Sequence, residues 1–188
     1  SLRGKKEYYM LRAVFFDRDG TLIQDRGHIG HESDVIFYPE TVPSLKRLRK
    51  FFRFFIVTNQ PGVAEGAITR QGVKRVNRYI TEYLAKRGVE ITEVYVCPHS
   101  RSDACSCIKP NPHFLYSAAR DYGLDLDHSY VIGDHPSDLQ LAENAGANGL
   151  YVLTGHGRKH RRELSGKVIV KADISEAADW ILKEEAYA

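Results

Sequence analysis

Val14-Phe15-Phe16-Asp17-Arg18-Asp19-Gly20-Thr21-Leu22 is the most informative stretch of this chain. An apolar, β-rich run ends abruptly at Asp17, as a strand buried on both faces of a sheet would. Asp19 follows two residues on, and Gly20 lets the chain turn sharply. Two carboxylates this close repel each other unless a cation or a proton relieves them. Asp and Gly are also ordinary turn residues. The apolar run before the pair and Thr21-Leu22 after it favour a reactive strand end over a plain turn.

Outward from this stretch the chain alternates. Leu11–Phe16 reads as the first strand and Thr41–Lys50 as a short helix with Pro43 in its first turn. Phe54–Val57 is a second strand, closed by Thr58-Asn59. In Thr69–Arg87, Val73, Val76, Ile80 and Leu84 recur at helical spacing, and Gly88 stops the run. Val94–Val96 is a strand, Pro112–Tyr122 a helix, Tyr130–Ile132 a strand, Ser137–Ala145 a helix and Leu150–Leu153 a strand. Val168–Val170 can form a short sixth strand, and Asp173 can cap a last helix. Such alternation implies βαβ units: an α/β, Rossmann-like parallel sheet with helices on both faces. Ligands in these folds sit at the carboxyl ends of the strands. Asp17, Thr58, Cys97 and Asp134 each close an apolar run.

A chain of 188 residues leaves room for one ordinary domain, expected over residues 10–188. Ser1–Tyr9 is polar and basic, and reads as a disordered arm or a non-native remnant. The longest apolar runs, such as Phe54–Val57, fall far short of the roughly 18 residues of a membrane span. With a net charge of +3 and no basic stripe, the composition is not that of a nucleic-acid binder. A soluble, cytoplasmic monomer is expected.

Gly133-Asp134-His135-Pro136-Ser137-Asp138 is a second acidic element. Asp134 can join Asp17 around a hard cation, and a few oxygen ligands suit Mg²⁺ with substrate phosphate. Asp138 either orients this loop or caps the helix that follows. Thr58 and Asn59 offer a hydroxyl and an amide to phosphoryl oxygens, and Lys109 can neutralise both nucleophile and phosphate. Cys97-Pro98-His99 followed by Cys105-Ser106-Cys107 supplies three thiolates and an imidazole, a closed tetrahedral Zn²⁺ set of structural type. The polar segment between them has little to bury, so a metal staple is a sensible means of ordering it.

In order, these residues resemble the haloacid dehalogenase (HAD) superfamily of phosphotransferases: D-x-D-G-T at 17–21, Thr58, Lys109 and G-D-x-x-x-D at 133–138. The resemblance implies that Asp17 is the nucleophile and Asp19 the general acid and base. It implies Mg²⁺ held by Asp17, the Asp19 carbonyl and Asp134, with Thr58, Asn59, Gln60, Gly62 and Lys109 contacting substrate. The zinc loop narrows the likeness to the D-glycero-D-manno-heptose 1,7-bisphosphate phosphatases and the related histidinol-phosphate phosphatase domains. Thr58-Asn59-Gln60-Pro61-Gly62-Val63-Ala64 is similar to the heptose type. Glu65 and Ile108 depart from that type, which has arginine at both places. Too little chain lies at 21–39 or 87–109 for a large cap domain.

Several readings stay open on sequence alone. The substrate can be the heptose bisphosphate, histidinol phosphate, another sugar phosphate or a polynucleotide 3′-phosphate. A phosphoacceptor signalling domain is a remote alternative, since its acceptor lies at the third strand, which here ends at Cys97. His135 and the basic block 156–162 either reach an anionic substrate or are solvated.

Overall fold

A computed structural model describes residues 10–187; the arm expected at 1–9 lies outside the described residues. Six parallel strands form one sheet: β1 (Ala13–Phe16), β2 (Arg53–Asn59), β3 (Glu93–Cys97), β4 (Tyr130–Gly133), β5 (Asn148–Val152) and β6 (Ile169–Lys171), in the order β3-β2-β1-β4-β5-β6. The helices are α1 (Thr41–Leu48), α2 (Arg70–Ala85), α3 (His113–Tyr122), α4 (Pro136–Ala145), α5 (Gly157–His160) and α6 (Ile174–Tyr187).

Alternation along β1 divides the core in two. Val14 and Phe16 face a layer built from Leu45 and Leu48 of α1, Val76, Ile80 and Leu84 of α2, and Ala177, Ala178 and Ile181 of α6. Ala13 and Phe15 face Leu115 and Ala118 of α3 and Leu141, Ala142 and Ala145 of α4. All four β1 side chains are fully buried. Each phenylalanine contributes about 1.5–3 kcal/mol of transfer free energy. The topology reverses between β1 and β4, so the carboxyl ends of these two central strands flank the crevice where such sheets take ligands.

Most element ends fall within two residues of the sequence expectation. β2 runs through Thr58 and Asn59 because both pair with β3, opposite Val96 and Cys97. Apolar content alone does not register such a polar extension. The basic block, read as a loop, winds instead into α5 and a 3₁₀ turn at Arg161–Glu163. Helix starts are capped as their residues imply: the Gly72 N–H donates to Thr69 Oγ1, and Ser175 and Glu176 N–H to Asp173 Oδ1. Between β1 and α1 lies only a 3₁₀ turn at Glu32–Asp34, so no large cap covers the crevice. Among the described residues, no helix is long and apolar enough to cross a membrane.

Candidate active site

β1 and β4 are neighbours, so their ends bring Asp17 and Asp134 together; the first turn of α4 adds Asp138. Ligand oxygens of the three carboxylates lie within 4.8 Å of one another. Lys109 reaches in from the segment after β3. Its Nζ donates to Asp17 Oδ1 at 2.7 Å, to Asp138 Oδ1 at 2.7 Å and to the Val57 carbonyl at 3.1 Å. Burial opposes the charge on this lysine, but Asp138 and then Asp17 outweigh it and hold the ammonium protonated.

One lysine cannot balance three acids, two of them buried. The Asp134 carboxyl is pushed up to about 9, by burial first and then by the charges of Asp17 and Asp138. A cation between the strand ends would relieve this repulsion. The donor set fits a hard divalent ion, being all oxygen and short of a full shell. Both oxygens of Asp138 already carry a partner. Its Oδ1 takes the lysine and its Oδ2 the His135 N–H, so it both orients Lys109 and caps α4. Asp134 Oδ2 accepts the His156 N–H at 2.7 Å. Its carboxylate also fills a notch with no room for another Cβ: a side chain at Gly20 or Gly155 would strike it.

Asp19 stands apart from that trio. Its Oδ2 accepts from Gln60 Nε2 at 2.8 Å and Arg18 Nε at 2.9 Å. Burial raises its pKa, Arg18 opposes that and Asp17 adds to it, leaving the carboxyl above its usual range. Gln60 Nε2 also donates to the buried Thr58 hydroxyl at 2.8 Å, and Asn59 Oδ1 accepts the Lys109 N–H at 3.1 Å. At Gly62, expected among the substrate contacts, an added Cβ would strike the His28 ring.

The cysteine loop sits beside this site and is tied to it. Gln60 N–H donates to the Cys97 carbonyl, and Lys109 lies two residues past Cys107. Cys97, His99, Cys105 and Cys107 bring their ligand atoms within 4.8 Å of one another. The sulfur–sulfur separations are 3.2 and 3.6 Å, and His99 Nδ1 is 3.3 Å from Cys107 Sγ and 3.7 Å from Cys97 Sγ. Ligands about 2.0–2.3 Å from a tetrahedral metal stand about 3.3–3.8 Å apart, so the four match a Zn²⁺ set. Against a desolvation penalty, the Cys107 N–H, the Cys97 thiol and the Ile108 N–H bring Cys105 down to about 7, toward the thiolate a metal needs.

Two residues here escaped the sequence reading. Arg18 was passed over as the variable residue between two aspartates, and Asn77 as one polar residue of α2. Both had a signal. Strand alternation turns Arg18 away from Asp17 toward the face α2 covers, and Asn77, four after Val73, falls on the apolar stripe of that helix.

The family model described as "HAD-hyrolase-like" matches residues 106–177. The D-glycero-beta-D-manno-heptose-1,7-bisphosphate 7-phosphatase of Salmonella typhi is 33% identical over 93% of this chain and 91% of its own length. A probable D-glycero-D-manno-heptose-1,7-bisphosphate 7-phosphatase of Thermoplasma acidophilum is 38% identical over 72% of this chain and 86% of its own length. The chain belongs to the heptose-bisphosphate phosphatase family of HAD-like hydrolases. Its fold agrees: the D,D-heptose 1.7-bisphosphate phosphatase from B. bronchiseptica, solved with magnesium and phosphate, matches 93% of this chain and 99% of its own at TM-score 0.86 and 30% identity. This phosphatase is therefore a phosphoric monoester hydrolase with a six-stranded parallel sheet.

Proposed function

We propose that this phosphatase removes the 7-phosphate of D-glycero-D-manno-heptose 1,7-bisphosphate, using Mg²⁺ and an aspartyl-phosphate on Asp17. The observation that carries the chemistry is the contrast between two carboxylates two residues apart. Asp17 pairs directly with the Lys109 ammonium at 2.7 Å, while Asp19 is largely buried, has no such lysine and has its pKa raised. Paired acids set apart by their surroundings mark a nucleophile and an acid–base partner.

Asp17 attacks phosphorus, its new O–P bond forming as the sugar oxygen leaves. Asp19 gives that oxygen its proton, then takes one from the water that hydrolyses the aspartyl-phosphate. Lys109, the Thr58 hydroxyl and the Asn59 amide offset the phosphate's negative charge and fix its oxygens. The carboxylates of Asp17 and Asp134 and the Asp19 carbonyl would hold Mg²⁺. Once bound, that ion screens the dianion from its nucleophile. Zn²⁺ on Cys97, His99, Cys105 and Cys107 would be structural, since no ligand position stays open.

The substrate rests on the family and on the Thr58–Ala64 stretch around Gln60. Phosphate release with Mg²⁺ tests it across the heptose bisphosphate, sugar monophosphates, histidinol phosphate and a 3′-phosphorylated oligonucleotide. The bisphosphate should lead in kcat/KM by about tenfold or more, roughly what one well-placed charged contact gives. A faster histidinol phosphate or oligonucleotide would overturn the substrate and leave the chemistry intact.

A further inference from the structure

Arg18 sits between the proposed nucleophile and acid, and among the described residues it is the largest fully buried side chain. A guanidinium out of water needs a partner at each face of its fork. Nε donates to Asp19 Oδ2 at 2.9 Å, and Nη2 to Asp19 Oδ1 at 3.1 Å. Nη1 donates to Asn77 Oδ1 at 2.8 Å, a bond buried inside α2's packed face. Asn77 is itself 8% exposed, so helix and strand grip the arginine from opposite ends.

The two oxygens of Asp19 are not equivalent. Oδ2 accepts from both Arg18 Nε and Gln60 Nε2, and Arg18 Nη2 is 2.9 Å away as well. An oxygen so filled with N–H donors has no lone pair left for a proton. Oδ1 takes a single, longer bond. We propose that Arg18, locked by Asn77, is the positioning residue that fixes Asp19 Oδ1 as the oxygen carrying the proton to the leaving group. The inference rests on Asp19 being the general acid. As the P–O bond to the sugar breaks and the Asp17–phosphorus bond forms, the proton passes from Oδ1 to the departing oxygen. With the guanidinium loosened, the carboxyl can turn about its Cβ–Cγ bond and present the wrong oxygen.

The test uses leaving groups. An alkoxide cannot depart without a proton, whereas para-nitrophenolate can. R18K keeps the charge but loses the fork. N77A keeps α2, since alanine favours helix, and frees Nη1. On a sugar phosphate, kcat/KM should fall about 30-fold or more in R18K and about fivefold in N77A, within the span of general acid catalysis. On para-nitrophenyl phosphate each should fall by no more than about threefold, because the proton matters little there. Equal losses on both substrates, or no loss on the sugar phosphate, would overturn the proposal. Should R18K fail to fold, N77A decides alone. D19N serves as the reference and should show the same selectivity. If D19N instead lowers both substrates equally, the reading of Asp19 fails; if D19N is selective and the two variants are not, only the role of Arg18 fails.

Discussion

Two groups of metal-ligand type each crowd their atoms within 4.8 Å, yet they are built by opposite means. The carboxylates of Asp17 and Asp134 project from the ends of central strands whose side chains are buried on both faces. Sheet and core hold them in place, and Lys109 balances part of their charge. The sulfurs of Cys105 and Cys107 lie on a loop with one buried ligand, Cys97, and no hydrophobic cluster of its own. The first cluster is held by the fold and strained by its own charge. With the proposed Zn²⁺ bound, the second would be held chiefly by that metal. A site proposed to do chemistry is thus assembled in advance, while the proposed zinc would be left to shape a segment that has little else to hold it.

The sharpest break comes at Asp17, the proposed nucleophile. Asp17→Asn should lower kcat by more than about 10³-fold, as losing a covalent nucleophile does, while thermal unfolding stays cooperative. Retained turnover would remove Asp17 from the reaction. On the other side, Cys107→Ser should reduce bound zinc from one per chain to below half. It should also lower the melting temperature by about 10 °C, in keeping with metal binding that acts as folding free energy. Unchanged metal content would take Cys107 out of the set. Activity should fall with it, because Lys109 is only two residues away.

Charge strain makes a further difference between the clusters measurable. Asp134 has its folded-state pKa raised from 3.8 to about 9, so folding favours its protonated form. That stability is present at low pH and is lost as pH rises toward 9. Without divalent metal, the melting temperature should drop by about 10 °C or more between pH 5 and pH 9 through this group, and saturating Mg²⁺ should flatten the slope. A metal-free melting temperature that is level or rising would contradict the strain. The smallest effect is expected at the rim. Glu65, half exposed and 3.4 Å from His28 Nε2, stands where the heptose type has arginine. Glu65→Arg should lower KM for the bisphosphate about threefold with kcat unchanged, the scale of one exposed charge pair. A lower KM for a monophosphate as well would place the effect elsewhere.

The strand ends were legible because β1, β2 and β4 switch from apolar to polar at Asp17, Thr58 and Asp134. Periodicity also gave α2, whose stripe of Val73, Val76, Ile80 and Leu84 is buried as spaced. What was not legible depends on partners distant in sequence. Strand alternation gives the side Arg18 turns to, but its burial and its bond to Asn77, 59 residues away in sequence, depend on α2. Asp138 seemed to serve either as cap or as support for the site, and it does both because its two oxygens face different neighbours. The block 156–162 carries no apolar spacing to announce a helix, so α5 went unread. It brings the backbone N–H of His156 to Asp134, a bond no side-chain pattern could reveal.

The notch around Asp134 has a consequence for how this protein can vary. Gly20 and Gly155 both take positive φ, at +85° and +51°, and both abut the same carboxylate oxygen, so conformation and space forbid a side chain twice over. In a saturation library selected for phosphatase activity, both codons should return glycine alone, while Gly27, at φ +80° but with nothing near its missing Cβ, should also admit residues that tolerate a left-handed backbone, such as asparagine. The least conspicuous residues at the site would then be among the least replaceable.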